Sequence, residues 1–329
     1  MVLSKYPTLG KKRNRKEFDK MKKLDVNFFP GWTRKSVTFT IDDGNVPMDR
    51  KFLSIVKPKG ILGTFNLNSN RMGDFDAAGY REFYRGYEIA NHCKYHPFAI
   101  PDDNTMPISD KPFDPETSDP TMLHPINRPG CYQRKQPNGW RMVSDTETYI
   151  KYADEGRAEL EAIFGKGNVE SFVWPYCEQN NKAVIEHLEN AGYYGMRKTG
   201  STTDKTGFAM PANRMKWSYN ANHRELLAVM EKYESYPDDG ELKFFAFGVH
   251  SVDWDRDGNW NELEEFAAKY GSRPEDYWYA TVRDIFEYED AVKQLQITET
   301  EIFNPTDKTL YIKADGERIV LSPNSSYPI

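Results

Sequence analysis

Cysteine is scarce in this chain. Only Cys93, Cys131 and Cys177 occur, an odd number that cannot complete a disulfide framework and is too few for paired-thiolate zinc spacings. Thiol usage leaves the redox compartment open. Long apolar runs are missing as well: nothing approaches the ~20 residues that cross a bilayer, so no membrane span is expected. Positive charge is not in excess either. Forty-four basic residues face fifty acidic ones, a formal charge of −6, which excludes a general basic field for gathering nucleic acid or an anionic membrane. Residues 1–31 are rich in Lys and Arg but contain no apolar core of the ~7–15 residues found in secretory signals. As it stands the chain is expected in the cytoplasm, or outside the cell if a signal has been removed. No feature specifies an oligomeric state.

Aromatic residues, by contrast, make up 14% of the chain. Each buries roughly 150–250 Å², which offsets an apolar fraction of only 38% and allows a sizeable core. The 329 residues suit one large α/β barrel plus an appendage. Residues 36–41 alternate Val37, Phe39 and Ile41 with Thr38 and Thr40, the period of a strand with one buried face, and run directly into Asp42-Asp43-Gly44. A helix near 52–56, stopped by Pro58 and Gly60, and a strand over 63–67 complete a βαβ unit. Further strands are predicted over 87–90, 170–174, 193–197 and 243–249, and helices over 146–164, 182–191, 225–233, 262–270 and 282–294. The run Phe244-Phe245-Ala246-Phe247 is apolar on both faces, as in a parallel strand covered on each side. About seven such repeats predict an α/β fold, a distorted (β/α)7 barrel, over 36–295, behind an N-terminal extension at 1–35. Two segments break the pattern. Residues 98–141 hold eight prolines without periodicity and read as a long, structureless and functional loop in which Tyr132 and Trp140 stand out. Residues 296–329 show short strands separated by Asn304-Pro305, Asp315-Gly316 and Pro323-Asn324, a small C-terminal β appendage.

Asp42 and Asp43 sit together at the end of the first strand. Consecutive strand residues point to opposite sides, so one carboxylate must be desolvated, paired or bound to a cation. Alone, Asp-Asp-Gly reads more often as a solvated turn. It does not stand alone: in the heptapeptide from Asn91 to Pro97, His92 and His96 lie four residues apart, so that a helical turn aims both rings at one point. Two histidines plus one carboxylate make a metal site with an open position for water, suited to Zn²⁺ and, as alternatives, Co²⁺, Ni²⁺ or Mn²⁺.

These motifs resemble those of the polysaccharide deacetylases, carbohydrate esterase family 4, with their NodB-type deacetylase homology domain. The resemblance spans about 36–288. Thr40-Ile41-Asp42-Asp43-Gly44 is similar to the family's first motif, His92 to Pro97 to its second, Phe172-Val173-Trp174-Pro175-Tyr176 to its third and Gly248-Val249-His250-Ser251 to its last. Residues 247–266, and Gly195-Met196-Arg197-Lys198-Thr199, resemble a bacterial branch in particular. The resemblance implies that Asp43, His92 and His96 bind one divalent metal. It implies that Asp42 is the base activating a water, that His250 is the acid protonating the leaving nitrogen, and that the backbone N–H of Tyr176 steadies the oxyanion. Trp174, Pro175, Trp254 and Trp260 are candidates for contact with the sugar, with core packing as the alternative for each. The chain also departs from the family pattern. Val173 stands where the third motif carries an Arg that orients the base, and Arg197 on the following strand is the nearest substitute. Cys93 replaces a hydroxyl residue between the two histidines, and no Asp closely precedes Trp217 where the fourth motif is expected.

The activity implied is metal-dependent removal of acetyl groups from the N-acetylated sugars of a polysaccharide or oligosaccharide, so the expected partner is a carbohydrate. The alternatives are O-acetyl esterase activity on xylan-type substrates, hydrolysis of a non-sugar amide or cyclic imide, and a silent carbohydrate-binding homologue. His250 alone reads equally well as a buried core histidine. His124 and His223 lack partners at ligand spacing and read as structural or solvated. The 98–141 segment begins directly after His96-Pro97, which roots it on the active-site face.

Overall fold

A computed structural model of the chain describes residues 23–177, 179–199 and 208–329. Residues 1–22, most of the expected N-terminal extension, lie outside the described residues. Seven parallel strands build the central sheet: β1 (Lys35–Asp43), β2 (Gly63–Leu67), β3 (Glu88–Asn91), β4 (Ser171–Val173), β5 (Gly195–Thr199), β6 (Trp217–Ser218) and β7 (Lys243–His250). Their order is β6-β5-β4-β3-β2-β1-β7, with the short strand Trp278–Tyr279 added beside the start of β1. The sheet curls until its edges meet. Just past β6, the Asn220 N–H donates to the Ala246 carbonyl at 2.8 Å and the Gly248 N–H to the Ala221 carbonyl at 3.0 Å. The result is the distorted (β/α)7 barrel predicted from the alternation of elements.

Local chemistry sets the element boundaries. The first helix runs over Val46–Val56, longer than expected, because the Asn45 side chain accepts from the Met48 N–H at 3.2 Å and Pro47 suits the first turn. The helix Thr146–Phe164 is capped by Asp145 and stops at Gly165 (φ 101°). β1 differs from the one-sided strand expected of it, being buried on both faces. Phe39 packs edge-on against Phe52 and Phe266 of the outer helices, at 5.2 and 5.6 Å, while Ser36, Thr38 and Thr40 on the other face are fully buried too. Their hydroxyls hide the burial, because threonine looks amphipathic in a sequence and is at home inside when bonded, as Thr40 is by the Asn66 amide at 2.7 Å.

The segment after His96 is not structureless. Cys131–Gln136 and Gly139–Ser144 form an antiparallel hairpin across Pro137-Asn138, flanked by Phe98–Ala99 and His124–Pro125 in a four-stranded sheet. Phe98, Leu123 and Val143 make its small core, with Tyr132 and Tyr176 against it. The hairpin escaped sequence reading because its strands are mostly polar and only half-buried, so no apolar alternation marks them.

The helix Val282–Lys293 sits at the N-terminal ends of the barrel strands. Its Val282 N–H donates to Thr64 Oγ1 at 3.2 Å and its Arg283 N–H to Glu88 Oε2 at 3.0 Å. Beyond it, Leu310–Ala314 pairs with Glu317–Leu321 across Asp315-Gly316, both at positive φ, and on its other edge with Leu24–Phe28. Gln296–Ile297, Glu301–Asn304 and Ser325–Pro328 form a second small antiparallel sheet. One mouth of the barrel is thereby covered, and the C-terminal strand ends open onto a cavity.

Candidate active site

β7 lies in unbroken register with β1, from Lys243 opposite Lys35 to His250 opposite Asp42, and β2 places Asn66 opposite Asp42 on the other side. Side chains far apart in sequence therefore surround one cavity of about 610 Å³, whose lining includes Asp42, Asp43, His92, His96, Trp174, Tyr176 and His250. The two aspartates do not diverge as strand alternation predicts. Asp43 takes a left-handed backbone conformation (φ 79°) at the strand end, which turns its carboxylate to the same cavity as that of Asp42.

Nor do His92 and His96 share a helical turn. They lie in an irregular loop in which Cys93 (φ 64°) and His96 (φ 55°) are left-handed, and the rings meet edge to face at 4.6 Å. The Asn68 amide braces this loop through the carbonyls of His92 (2.6 Å) and Cys93 (2.9 Å), and Asn91 Oδ1 accepts from the Cys93 N–H at 3.0 Å. Gly156 lets the helix Thr146–Phe164 approach from behind, since a Cβ there would come within 2.7 Å of Asn91 Oδ1. Burial pushes the Cys93 thiol up to about 12, so it stays protonated and inert.

Donor atoms of Asp43, His92 and His96 lie within 4.8 Å of one another. Asp43 Oδ1 is 3.6 Å from His92 Nε2 and 3.4 Å from His96 Nε2. Asp43 Oδ1 and His92 Nε2 are buried without a hydrogen-bond partner, an arrangement that costs free energy unless a cation fills it. His92 Nδ1 lies 2.7 Å from the Val173 carbonyl. A carbonyl only accepts, so Nδ1 carries the proton and Nε2 presents its lone pair to the site. Burial lowers the pKa of His92; burial and the neighbouring His92 lower that of His96 to about 3, despite the opposing pull of Asp43. Both rings are therefore neutral, the form in which imidazole can hold a metal. This donor set fits a divalent metal with room for further ligands.

Asp42 is held from two sides. Arg197 Nη2 donates to both of its carboxylate oxygens, and the Asn66 amide donates to Oδ1 at 2.7 Å. The guanidinium missing at Val173 thus arrives from β5, whose Arg197 stands opposite Val173 in register. Burial alone would raise the Asp42 pKa, but the charge and hydrogen bonds of Arg197, with the charge of His250 beside it, outweigh it and hold the carboxyl well below the usual range. Across the cavity, His250 Nδ1 lies 2.8 Å from Asp253 Oδ2. Burial pulls the imidazole pKa down, yet the hydrogen bond to Asp253 and the charges of Asp42 and Asp43 lift it to about 9.

Sequence reading overlooked Asn66 and Asp253. Asp253 left a faint trace, an acid three residues after His250 where a strand turns into the helix Ser251–Asp257. His223 also has partners that its spacing did not reveal: it lines the cavity, with Nε2 2.7 Å from Asp257 Oδ2 and Nδ1 3.8 Å from Asp253 Oδ2. His124 is structural as expected, its Nε2 2.8 Å from the Asp119 carbonyl. Two aromatic expectations are corrected. Trp254 and Trp260 belong to the main core and line no part of this cavity: Trp254 lies on the buried face of the helix Ser251–Asp257, and Trp260 opens the next helix, Trp260–Tyr270, which packs on the same core. Tyr132 and Trp140 pack within the hairpin region, Trp140 against Phe113 at 4.9 Å. Pro175 is buried and not part of the lining, whereas Trp174 and Tyr176 are part of it.

The fold and the site together define a (β/α) barrel protein with its polar cluster at the C-terminal strand ends, where such barrels carry their active sites. Residues 31–196, just over half of the chain, match the family model described as polysaccharide deacetylase. The chain belongs to that family. Among solved structures, it is similar to a putative polysaccharide deacetylase from Mycobacterium smegmatis, with 16% identity over 83% of this chain and 96% of that one and a TM-score of 0.48. It is also similar to a CE4 esterase from Streptococcus mutans (13% identity, 75% and 86% covered, TM-score 0.45). A third is a family 4 acetyl xylan esterase from Clostridium thermocellum in complex with a cobalt ion (15% identity, 78% and 92% covered, TM-score 0.44). No curated protein sequence matches this chain.

Proposed function

We propose that this protein removes acetyl groups from N-acetylated sugars of a polysaccharide or oligosaccharide, with a divalent metal as cofactor. The observation that carries this reading is the convergence of Asp43, His92 and His96, two of their donor atoms buried and unpaired, between the Arg197-held Asp42 and the Asp253-held His250. A divalent ion on those three residues supplies a Lewis acid that polarises a carbonyl and lowers the pKa of a water. Asp42 accepts the proton of the attacking water at Oδ2, which takes a hydrogen bond from Arg197 alone while Oδ1 takes one from Asn66 as well. Its low pKa keeps it ionised and ready at neutral pH. The Tyr176 N–H donates to the oxyanion that develops on the substrate. His250, with Nδ1 held by Asp253, delivers a proton from Nε2 to the departing nitrogen. An amine leaves poorly without that proton, so a protonated imidazole at this position supplies what cleavage of an N-acetyl group requires. Trp174 and Tyr176 form part of the wall against which the sugar rests.

The test is metal analysis of purified protein together with acetate release from chitin oligosaccharides and from acetylated xylan, with and without chelator. We expect close to one divalent ion per chain and a loss of rate on the order of 10²-fold or more on chelation, reversed by Zn²⁺. Protein that takes up no metal and releases no acetate would refute the reading. A second expected outcome concerns pH. His250 must be protonated to act, so kcat/KM falls as pH rises through its pKa near 9. In Asp253→Asn the supporting hydrogen bond to the charged ring weakens, and the alkaline limb moves down toward the ordinary imidazole range near 6.5. A pH–rate profile with an unmoved alkaline limb would contradict the role given to Asp253.

A further inference from the structure

Four guanidiniums, Arg71, Arg141, Arg224 and Arg256, surround the cavity of a chain whose overall charge is negative. Three of them already face carboxylates: Arg71 lies 3.2 Å from Asp43, Arg224 lies 2.9 Å from Asp257, and Arg256 bonds Asp253 at 2.6 Å and Asp257 at 2.8 Å. The carboxylates of the lining are likewise taken, Asp42 by Arg197, Asp43 by Arg71 and Asp253 by His250 and Arg256. Arg141 is different. Among the described residues no carboxylate stands within ion-pair distance of it, and its guanidinium lies over the ring of Tyr176, 5.2 Å from the centroid.

Its mounting is rigid. Arg141 lies on the second strand of the hairpin, opposite Arg134, in the four-stranded sheet that follows His96. The Tyr176 ring beneath it stacks on Phe98 at 3.9 Å and meets the His96 ring at 4.4 Å. One aromatic ring thus separates a half-buried, uncommitted positive charge from a candidate metal ligand. Guanidinium groups favour carboxylate and phosphate through paired, charge-assisted hydrogen bonds, and a partly desolvated setting strengthens that preference.

We infer that Arg141 binds an anionic group, a carboxylate or a phosphate, on the sugar being deacetylated, so that the preferred substrate is an acidic N-acetylated glycan. This inference rests on the deacetylase reading of the same cavity. It gives the hairpin insertion a purpose, since the insertion carries Arg141 to the cavity wall.

The experiment compares chitotetraose with the same oligosaccharide carrying carboxylates at its primary carbons and with its 6-phosphorylated form. For each, kcat/KM is measured, and calorimetry on the Asp42→Asn protein measures binding without turnover. Wild-type protein is expected to prefer an acidic form, with a preference that weakens as salt is raised. Arg141→Gln is expected to lower the acidic-to-neutral ratio about tenfold or more, in both kcat/KM and affinity, while Arg141→Lys retains part of it. Which acidic probe shows the effect identifies the anion as carboxylate or phosphate. An acidic-to-neutral ratio of one in the wild type, or a ratio that Arg141→Gln leaves unchanged, overturns the inference. If acetate is released equally from neutral and acidic probes, the deacetylase reading stands and this inference falls. If no probe loses acetate but acidic probes bind through Arg141, the deacetylase reading falls and with it the acidic-substrate inference, leaving an anion site alone.

Discussion

Asp42→Asn is expected to lower kcat on chitin oligosaccharides ~10²–10⁴-fold while the metal content of the protein stays unchanged. The substitution keeps the size of the side chain and removes only its capacity to take a proton. The three candidate ligands, Asp43, His92 and His96, are untouched, and the loop that carries the histidines is braced separately by Asn68 and Asn91. Metal analysis and kcat on one preparation separate the two readouts. A rate within a few-fold of wild type would remove Asp42 as the base; a protein stripped of metal would instead make Asp42 part of the ligand set. Because the change leaves Arg197 beside a neutral partner, folding should be checked by circular dichroism before the rate is interpreted.

Arg197→Leu should have the larger effect on stability. Arg197 is 1% exposed and Asp42 11% exposed in their side chains, so removing the guanidinium leaves a buried carboxylate without its charge partner. Breaking such a pair costs about 3–5 kcal/mol, readable as a lower urea midpoint at unchanged slope. The sign with pH follows from the direction of the Asp42 shift. Its folded pKa is depressed below the ordinary aspartate value of 3.8, so the stability it contributes is present above that pH and is lost as pH falls further. In Arg197→Leu burial prevails, the Asp42 pKa rises, and the acid limb of kcat/KM moves to higher pH. The double variant Asp42→Asn, Arg197→Leu is expected to be more stable than Arg197→Leu alone, because no unpaired charge remains. Single and double variants of equal stability would show that the ion pair is not what positions Asp42.

Much of the barrel was readable in advance because parallel strands covered on both sides leave dense apolar runs, as in Phe244 to Phe247, and helices leave caps and stops such as Asp145 and Gly165. The hairpin after Phe98 was not, since its polar strands are defined by pairing with one another. Asp43, His92 and His96 were legible as a set because each lies within a few residues of a strand end in a short motif. Asn66 and Asp253 were not, being ordinary polar residues until a neighbour across the sheet or one helical turn back gives them a role. Trp254 and Trp260 show the opposite failure: aromatic residues beside a motif look like sugar platforms, and only packing shows that they face the core.

By itself the sequence determined the alternation of elements, the lack of any apolar run long enough for a spanning helix, and the residue types able to hold a metal and move a proton, because these depend on local periodicity and side-chain chemistry. Tertiary structure decided which groups meet. It brought Arg197 to Asp42 over 155 residues, turned Asp43 by a left-handed backbone angle, and set Arg141 over Tyr176 with no acidic partner among the described residues. Those relations arise from strand register and sheet closure, which join positions whose separation along the chain carries no local signal.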